Sequence, residues 1–106
     1  MTLFVTGMRL KQMKINSIVT SEYHRCFICH SERNLEVHHV FFGTANRKQS
    51  EKHGLTVPLC PECHRGTLGV HHNKELDLRI KQLAQIEFEK HFSFEEFMKV
   101  IGRNYR

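Results

Sequence analysis

Two cysteine pairs of identical spacing constrain the fold of this 106-residue chain more than any other feature of its sequence. Cys26 and Cys29 form the first Cys-x-x-Cys pair, and Cys60 and Cys63 form the second. A pair of this spacing presents two thiolates from one tight turn, so two such pairs complete the tetrahedral ligand set of a structural Zn²⁺. The alternative interpretation is four unrelated buried thiols or a redox pair. The sequence therefore predicts one four-cysteine zinc site that joins two distant parts of the chain.

Chain length and composition agree with a small domain that needs a metal. The sequence is 40% hydrophobic and contains eight Phe, which is enough for one modest core. It has no apolar run of about eighteen residues and no secretory signal, so we predict a cytoplasmic protein with reduced cysteines and no membrane association. Residues 1–12 carry no motif, and Met13 is a candidate alternative start.

The charge balance favours a polyanionic partner. Sixteen Lys and Arg residues against eleven Asp and Glu residues give a formal net charge of +5. A basic domain of this kind is typical of nucleic-acid binding, although a merely soluble basic protein has the same composition.

A β-hairpin is predicted between the two cysteine pairs. Residues 35–42 are rich in β-branched and aromatic side chains and end at Gly43, as expected for a strand. The polar residues 44–54 are predicted to form a loop. Residues 55–59 form a second short apolar run, in which Pro58 suits an edge or strand-end position.

Two helices are predicted after the hairpin. Asn73 is a suitable N-cap for the first helix, and Ser93 with Glu96 forms a capping box for the second, which ends at Gly102. The apolar periodicity predicts which side chains these helices bury. They are Leu76, Ile80, Leu83 and Phe88 in the first helix and Phe94, Phe97, Val100 and Ile101 in the second.

Four of the nine histidines are placed where they can do chemistry. His38 and His39 are neighbours in the first strand, so their side chains point to opposite faces. His64 directly follows the second cysteine pair, and His71 lies further along the chain. The remaining histidines are predicted to be surface residues. They are His24, His30, His53, His72 and His91.

The order of these features resembles the HNH (ββα-metal) endonuclease family. A cysteine pair, a strand with His-His, a loop, a short strand and Cys-x-x-Cys-His follow one another between Cys26 and His71. The chain is most similar to members with a four-cysteine zinc, such as resolvases of the endonuclease VII type and small phage-encoded HNH proteins. The resemblance implies an α+β fold in one domain over residues 1–106. A small zinc-stapled ββα-metal motif at about 24–73 is followed by two C-terminal helices at 74–106.

The resemblance also implies a role for each histidine. His39 corresponds to the general base, and His38 and His64 correspond to ligands of one catalytic divalent metal, while the zinc is only structural. His71 is a further candidate to face the metal or the phosphate, because Gly66 and Gly69 are expected to end the motif helix early; the alternative is a surface histidine or a helix cap. Imidazole ligands favour Mn²⁺ or Ni²⁺, whereas the family also allows Mg²⁺.

The chain departs from the family at the middle residue of the motif. Gly54 and Leu55 occupy the stretch where an Asn is often found, and Asn46 is the only weak substitute. Side chains predicted to contact nucleic acid flank the site, namely Asn46, Arg47, Lys48, Lys52 and Arg65.

The function expected from these features is metal-dependent hydrolysis of phosphodiester bonds in DNA. One alternative is a zinc-stabilised DNA-binding module that does not cleave, which the missing Asn favours. A zinc-dependent protein-interaction domain is a second alternative, but it leaves the His-His pair unexplained. The sequence leaves open the oligomeric state and the choice between DNA and RNA.

Overall fold

A computed structural model describes residues 17–106, so Met13 and the motif-free residues 1–12 lie outside the described part. The described chain has the predicted α+β fold, with a two-stranded antiparallel sheet and four α-helices. The elements in chain order are β1 (Glu36–His39), α1 (Thr44–Lys52), β2 (Thr56–Leu59), α2 (Pro61–Arg65), a 3-10 turn (Val70–His72), α3 (Lys74–His91) and α4 (Phe94–Val100).

The predicted hairpin is confirmed, with shorter strands than expected. β1 and β2 pair antiparallel in a register that sets His38 opposite Val57 and Val37 opposite Pro58. Proline cannot donate to a neighbouring strand, but its carbonyl can accept. The Pro58 carbonyl accepts a 2.8 Å hydrogen bond from the Phe27 N–H, which ties the first cysteine turn to the hairpin.

The prediction of a loop at residues 44–54 was wrong, because most of that stretch forms α1. This helix has no apolar stripe and buries only Ser50. The Ser50 hydroxyl accepts a hydrogen bond from the Phe41 N–H at 3.0 Å and donates one to the Phe41 carbonyl at 2.7 Å. The Ser50 hydroxyl therefore fixes α1 against the residues that follow β1. Because this contact is polar, the sequence of α1 has no hydrophobic periodicity from which the helix could be predicted.

Both predicted helix caps are confirmed. The Asn73 side chain accepts from the Leu76 N–H at 3.1 Å, and the Ser93 hydroxyl accepts from the Glu96 N–H at 3.0 Å. The predicted inner faces were partly wrong, since Leu83 is 48% exposed and Phe94 is 39% exposed.

The C-terminal residues explain this difference in burial. Gln85 of α3 is completely buried, and its amide oxygen accepts from the Tyr105 N–H at 2.8 Å. Its amide nitrogen donates to the Asn104 side chain at 2.8 Å. The chain end therefore covers the Gln85 side of α3, while Leu83 lies on another side and stays half-exposed.

The core joins the hairpin to the C-terminal helices. Phe41, Phe88 and Phe97 are fully buried, and their rings meet edge to face at centroid distances of 5.4 and 5.5 Å. The half that contains the cysteines and the helical half thus share one core. Among the helices of residues 17–106, none combines the length and the apolar composition needed to cross a bilayer.

Candidate metal centres

The four cysteines converge on one point, as the sequence predicts. The Sγ atoms of Cys26, Cys29, Cys60 and Cys63 all lie within 4.8 Å of one another, and those of Cys29 and Cys60 are 3.6 Å apart. A tetrahedral zinc with Zn–S bonds of about 2.3 Å holds its sulfurs about 3.8 Å apart. This cysteine cluster can therefore hold a structural zinc with little movement.

Backbone geometry prepares the cluster for thiolate ligands. Burial by itself raises the pKa of Cys26, but hydrogen bonds from backbone N–H groups, including those of Cys29 and Ile28, outweigh it and lower that pKa to about 7. Burial raises the pKa of Cys63, as do the neighbouring thiols. Four sulfurs this close cannot all carry charge without a cation between them, and a divalent ion supplies that charge.

Three histidines form a second cluster. A ring nitrogen from each of His38, His64 and His71 lies within 4.8 Å of the other two. The ring centroids are 4.8 to 5.2 Å apart. These residues come from β1, α2 and the 3-10 turn, and we call them the histidine triad. The structure thus brings together the three histidines that the sequence marked as candidate ligands.

His38 provides the clearest sign that the triad suits a metal. The residue is only 2% exposed, and its Nε2 atom is buried with no hydrogen-bond partner in the described part of the chain. Burial, with smaller contributions from the neighbouring histidines, lowers the pKa of His38 to about 3. The ring is therefore neutral at pH 7, with a nitrogen that no described residue satisfies. The lone pair of such a nitrogen can bind a metal ion.

Glu36 orients the second member of the triad. Its Oε1 atom lies 2.7 Å from Nδ1 of His64, while Nε2 of His64 lies 3.1 Å from Nε2 of His71. With the proton on Nδ1 held by the carboxylate, the Nε2 lone pair of His64 faces the triad. Sequence reasoning missed Glu36, although its position two residues before His38 in β1 puts both side chains on one face.

Arg65 binds the same carboxylate, which changes its expected role. Its guanidinium donates to both oxygens of Glu36, with Nε at 3.1 Å from Oε1. The Arg65 hydrogen bond is the main reason that the pKa of Glu36 lies below its ordinary value. Arg65 was predicted to contact nucleic acid, and the structure places it beside the triad with its charge already paired.

Two glycines allow the chain to bring His71 back to His64. α2 ends at Gly66, as predicted from the sequence. A Cβ atom at Gly66 would lie 2.5 Å from the Glu62 carbonyl oxygen, and one at Gly69 would lie 2.7 Å from that same oxygen. Only glycine fits such a close backbone approach. The turn that follows α2 therefore folds tightly onto the helix and returns His71 to the triad.

His39 lies outside the triad, on the other face of β1. Its Nε2 atom is 3.1 Å from Oε1 of Glu51 in α1. The His39 side chain is 12% exposed, whereas that of Glu51 is 76% exposed. An imidazole oriented by a carboxylate is an arrangement that can accept a proton from water.

α1 carries most of the residues predicted to bind nucleic acid. Arg47, Lys48 and Lys52 are exposed, and none of them is paired with an acidic side chain within residues 17–106. Arg47 and Lys48 lie one helical turn before Glu51, on the side that approaches His39. Asn46 is half-buried and has no side-chain hydrogen bond to a described residue, so nothing places it in the triad.

Comparison with protein-family models, with curated proteins and with solved structures finds no match for this chain. Its function is therefore inferred from the chemistry of the two clusters and of the surface around them.

Proposed function

We propose that this protein is a metal-dependent endonuclease of the HNH type, which hydrolyses phosphodiester bonds of DNA. In this proposal the cysteine cluster holds a structural zinc, and the histidine triad holds one catalytic divalent metal. The observation that carries the proposal is the buried Nε2 of His38, which has no hydrogen-bond partner among residues 17–106; His38 is grouped with two further imidazoles and directly precedes His39. A four-cysteine zinc site by itself needs no such group.

Each residue of the site has a task in phosphodiester hydrolysis. A bound divalent ion would supply positive charge to the scissile phosphate and to the departing 3′ oxygen. His39 accepts the proton of the attacking water, for which a neutral imidazole is suited near pH 7. When Nε2–H of His39 donates to Glu51, Nδ1 is the free proton acceptor, and the carboxylate stabilises the imidazolium that forms.

The ligand set favours certain metals. Mg²⁺ prefers oxygen ligands and retains its water, whereas imidazole nitrogens suit Mn²⁺, Ni²⁺ and related ions. With three imidazoles in the triad, we expect Mn²⁺ or Ni²⁺ to support cleavage at least as well as Mg²⁺.

A non-cleaving zinc-stabilised DNA-binding module is the second candidate. One observation favours it: the Asn46 side chain makes no hydrogen bond to a described residue, so nothing places it at the triad as the middle residue of the motif. In that case the basic surface of α1 would bind DNA, and the triad would hold a metal without catalysis.

Nicking of supercoiled plasmid separates the two candidates. The zinc-loaded protein is assayed with Mn²⁺, Ni²⁺ and Mg²⁺ beside His39→Ala, His38→Ala and, as a control, His72→Ala, which removes an exposed neighbour of His71. We expect His39→Ala to lower the nicking rate by about 100-fold or more with zinc content and DNA affinity unchanged. His38→Ala should regain activity as Mn²⁺ is raised, because mass action compensates for a lost ligand but not for a lost base.

The outcomes are distinct for each candidate. The His72→Ala control should nick at the normal rate. DNA binding without nicking under any of the three metals would support the non-cleaving module. Near-normal activity of His39→Ala would rule out the proposed base.

A further inference from the structure

An aromatic side chain stands exposed at the edge of the histidine triad. The ring centroid of Phe42 is 5.2 Å from that of His71 and 6.0 Å from that of His38, yet Phe42 is 41% exposed. Its neighbour Phe41 is 1% exposed and belongs to the core. The chain thus presents an apolar ring to solvent beside the histidine triad.

A cation is fixed against the same ring. The ammonium of Lys81 lies 4.3 Å from the Phe42 ring centroid and 5.4 Å from that of Tyr105. It also pairs with Asp77 at 2.8 Å, and the Lys81 side chain is only 13% exposed. The other carboxylate oxygen of Asp77 is buried and has no hydrogen-bond partner among the described residues. Phe42, Tyr105 and Asp77 therefore hold the Lys81 ammonium in place beside the triad. The rest of the Phe42 ring is exposed to solvent.

An aromatic ring beside a cation can bind both parts of a nucleotide, the base and the phosphate. Proteins that bind single strands stack bases on aromatic side chains and attract the backbone with Lys or Arg. In a duplex both faces of each base are already covered by neighbouring bases, and exposing one face costs a few kcal/mol. A stacking ring at the cleavage site therefore selects a strand that is already unpaired.

We propose that Phe42 and Lys81 form a binding site for an unpaired nucleotide, with the base stacked on Phe42 and an adjacent phosphate near Lys81. The preferred substrate at the triad is then a single-stranded or locally unpaired strand, a conclusion that rests on the proposed nuclease function. The basic α1 surface adds affinity without selecting between single and double strands.

The test measures stacking and binding without cleavage. In a His39→Ala background with Mn²⁺, a single-stranded oligonucleotide containing 2-aminopurine and a matched duplex are titrated with the protein. Phe42→Leu keeps the residue apolar but removes the ring, and Phe42→Trp keeps a ring. Phe94→Leu is the matched control, because Phe94 is 39% exposed and lies on α4. Thermal unfolding checks that each variant is folded.

We expect 2-aminopurine fluorescence to be quenched by the parent protein and by Phe42→Trp, but not by Phe42→Leu. Phe42→Leu should lower single-strand affinity by about 5- to 150-fold and duplex affinity by less than about twofold. The Phe94→Leu control should change neither. Equal losses on both substrates, or unchanged single-strand affinity in Phe42→Leu, would overturn the proposal.

Replacement of Lys81 tests the phosphate contact. Lys81→Gln should reduce the slope of log affinity against log salt by about 0.7 on a single strand, whereas Lys81→Arg should preserve it. An unchanged slope in Lys81→Gln would overturn this contact. Failure of the nuclease proposal has a different signature, namely normal quenching and normal strand preference without cleavage by the His39-containing protein.

Discussion

His64 and Glu36 are joined by a 2.7 Å contact between Nδ1 and Oε1, which couples α2 to β1. The carboxylate holds the imidazole in one tautomer and one orientation, so that Nε2 is the atom presented to the triad. Carboxylates that orient ligating histidines in this way contribute substantially to metal affinity.

Glu36→Gln should therefore weaken metal binding at the triad. The amide keeps the size of the side chain but loses the charge that orients His64 and pairs with Arg65. We expect Ni²⁺ affinity to fall by about 10- to 100-fold. The measurement is calorimetric titration of zinc-loaded protein with Ni²⁺.

Glu32→Gln is the control for this change. Glu32 is an exposed residue that pairs with Arg25 at 3.6 Å, away from the triad. Its replacement should leave Ni²⁺ affinity as it is. If Glu36→Gln binds Ni²⁺ as tightly as the unmodified protein, the carboxylate does not orient a ligand.

Gly69→Ala should disturb the triad through the backbone. The added Cβ would lie 2.7 Å from the Glu62 carbonyl oxygen and 2.8 Å from that of Cys63, so the turn must move away from α2. This movement displaces His71, two residues later. We expect a stability loss of about 1–3 kcal/mol together with weaker Ni²⁺ binding. Thermal unfolding and Ni²⁺ titration measure the two effects.

Thr67→Ala is the matched control in the same turn. Thr67 is exposed, so removal of its hydroxyl and methyl groups should affect neither stability nor metal affinity. Normal Ni²⁺ affinity in Gly69→Ala would show that the close approach of the turn is not needed to place His71.

Features with local chemical signals were predictable from the sequence. The spacing of Cys26 and Cys29 and the caps at Asn73 and Ser93 each depend on residues within four positions of one another. The break at Gly66 is equally local, because α2 stops where the glycine stands. In each case the residues that form the sequence pattern are also the residues that produce the local structure.

Features that depend on contacts between elements were not predictable. α1 is fixed by the Ser50 hydroxyl, and the burial of Gln85 depends on the chain end twenty residues later. Glu36 reaches a histidine 28 residues away, and the sequence shows only that both residues are polar. The same limit applies to Leu83. It follows the apolar periodicity of α3, but the side of the helix on which it lies stays half-exposed.

Substitution of a cysteine in the proposed zinc site should unfold the protein. Cys60 is 3% exposed and directly follows β2, and its thiol lies 3.6 Å from that of Cys29 in the first pair. Structural zinc contributes folding free energy directly, so Cys60→Ser should abolish stoichiometric zinc and cooperative thermal unfolding. Elemental analysis should give one zinc per chain before substitution.

The control for zinc loss is His24→Ala, which removes an exposed side chain near the first cysteine pair that can also bind metal. This variant should retain its zinc and its unfolding midpoint. A well-folded, zinc-free form of the unmodified protein would contradict a structural zinc.

The basic surface of α1 should set the salt dependence of DNA binding. Arg47 and Lys48 are exposed and free of acidic partners within residues 17–106, and they lie one turn before Glu51. Each phosphate contact releases condensed counterions, so each lost contact changes the slope of log affinity against log salt by about 0.9 on duplex DNA. Arg47→Gln combined with Lys48→Gln should therefore reduce that slope by about 1.8.

Fluorescence anisotropy at several salt concentrations, on two unrelated duplex sequences, measures this effect. Both sequences should lose affinity equally, because phosphate contacts carry no base information. Lys99→Gln is the control, since Lys99 is an exposed cation of α4 outside the proposed surface. Lys99→Gln should leave the slope unchanged if α1 is the contact surface. A slope that responds to Lys99 but not to Arg47 and Lys48 would move the DNA-binding surface from α1 to α4, and His39 with its partner Glu51 would then lie away from the bound backbone.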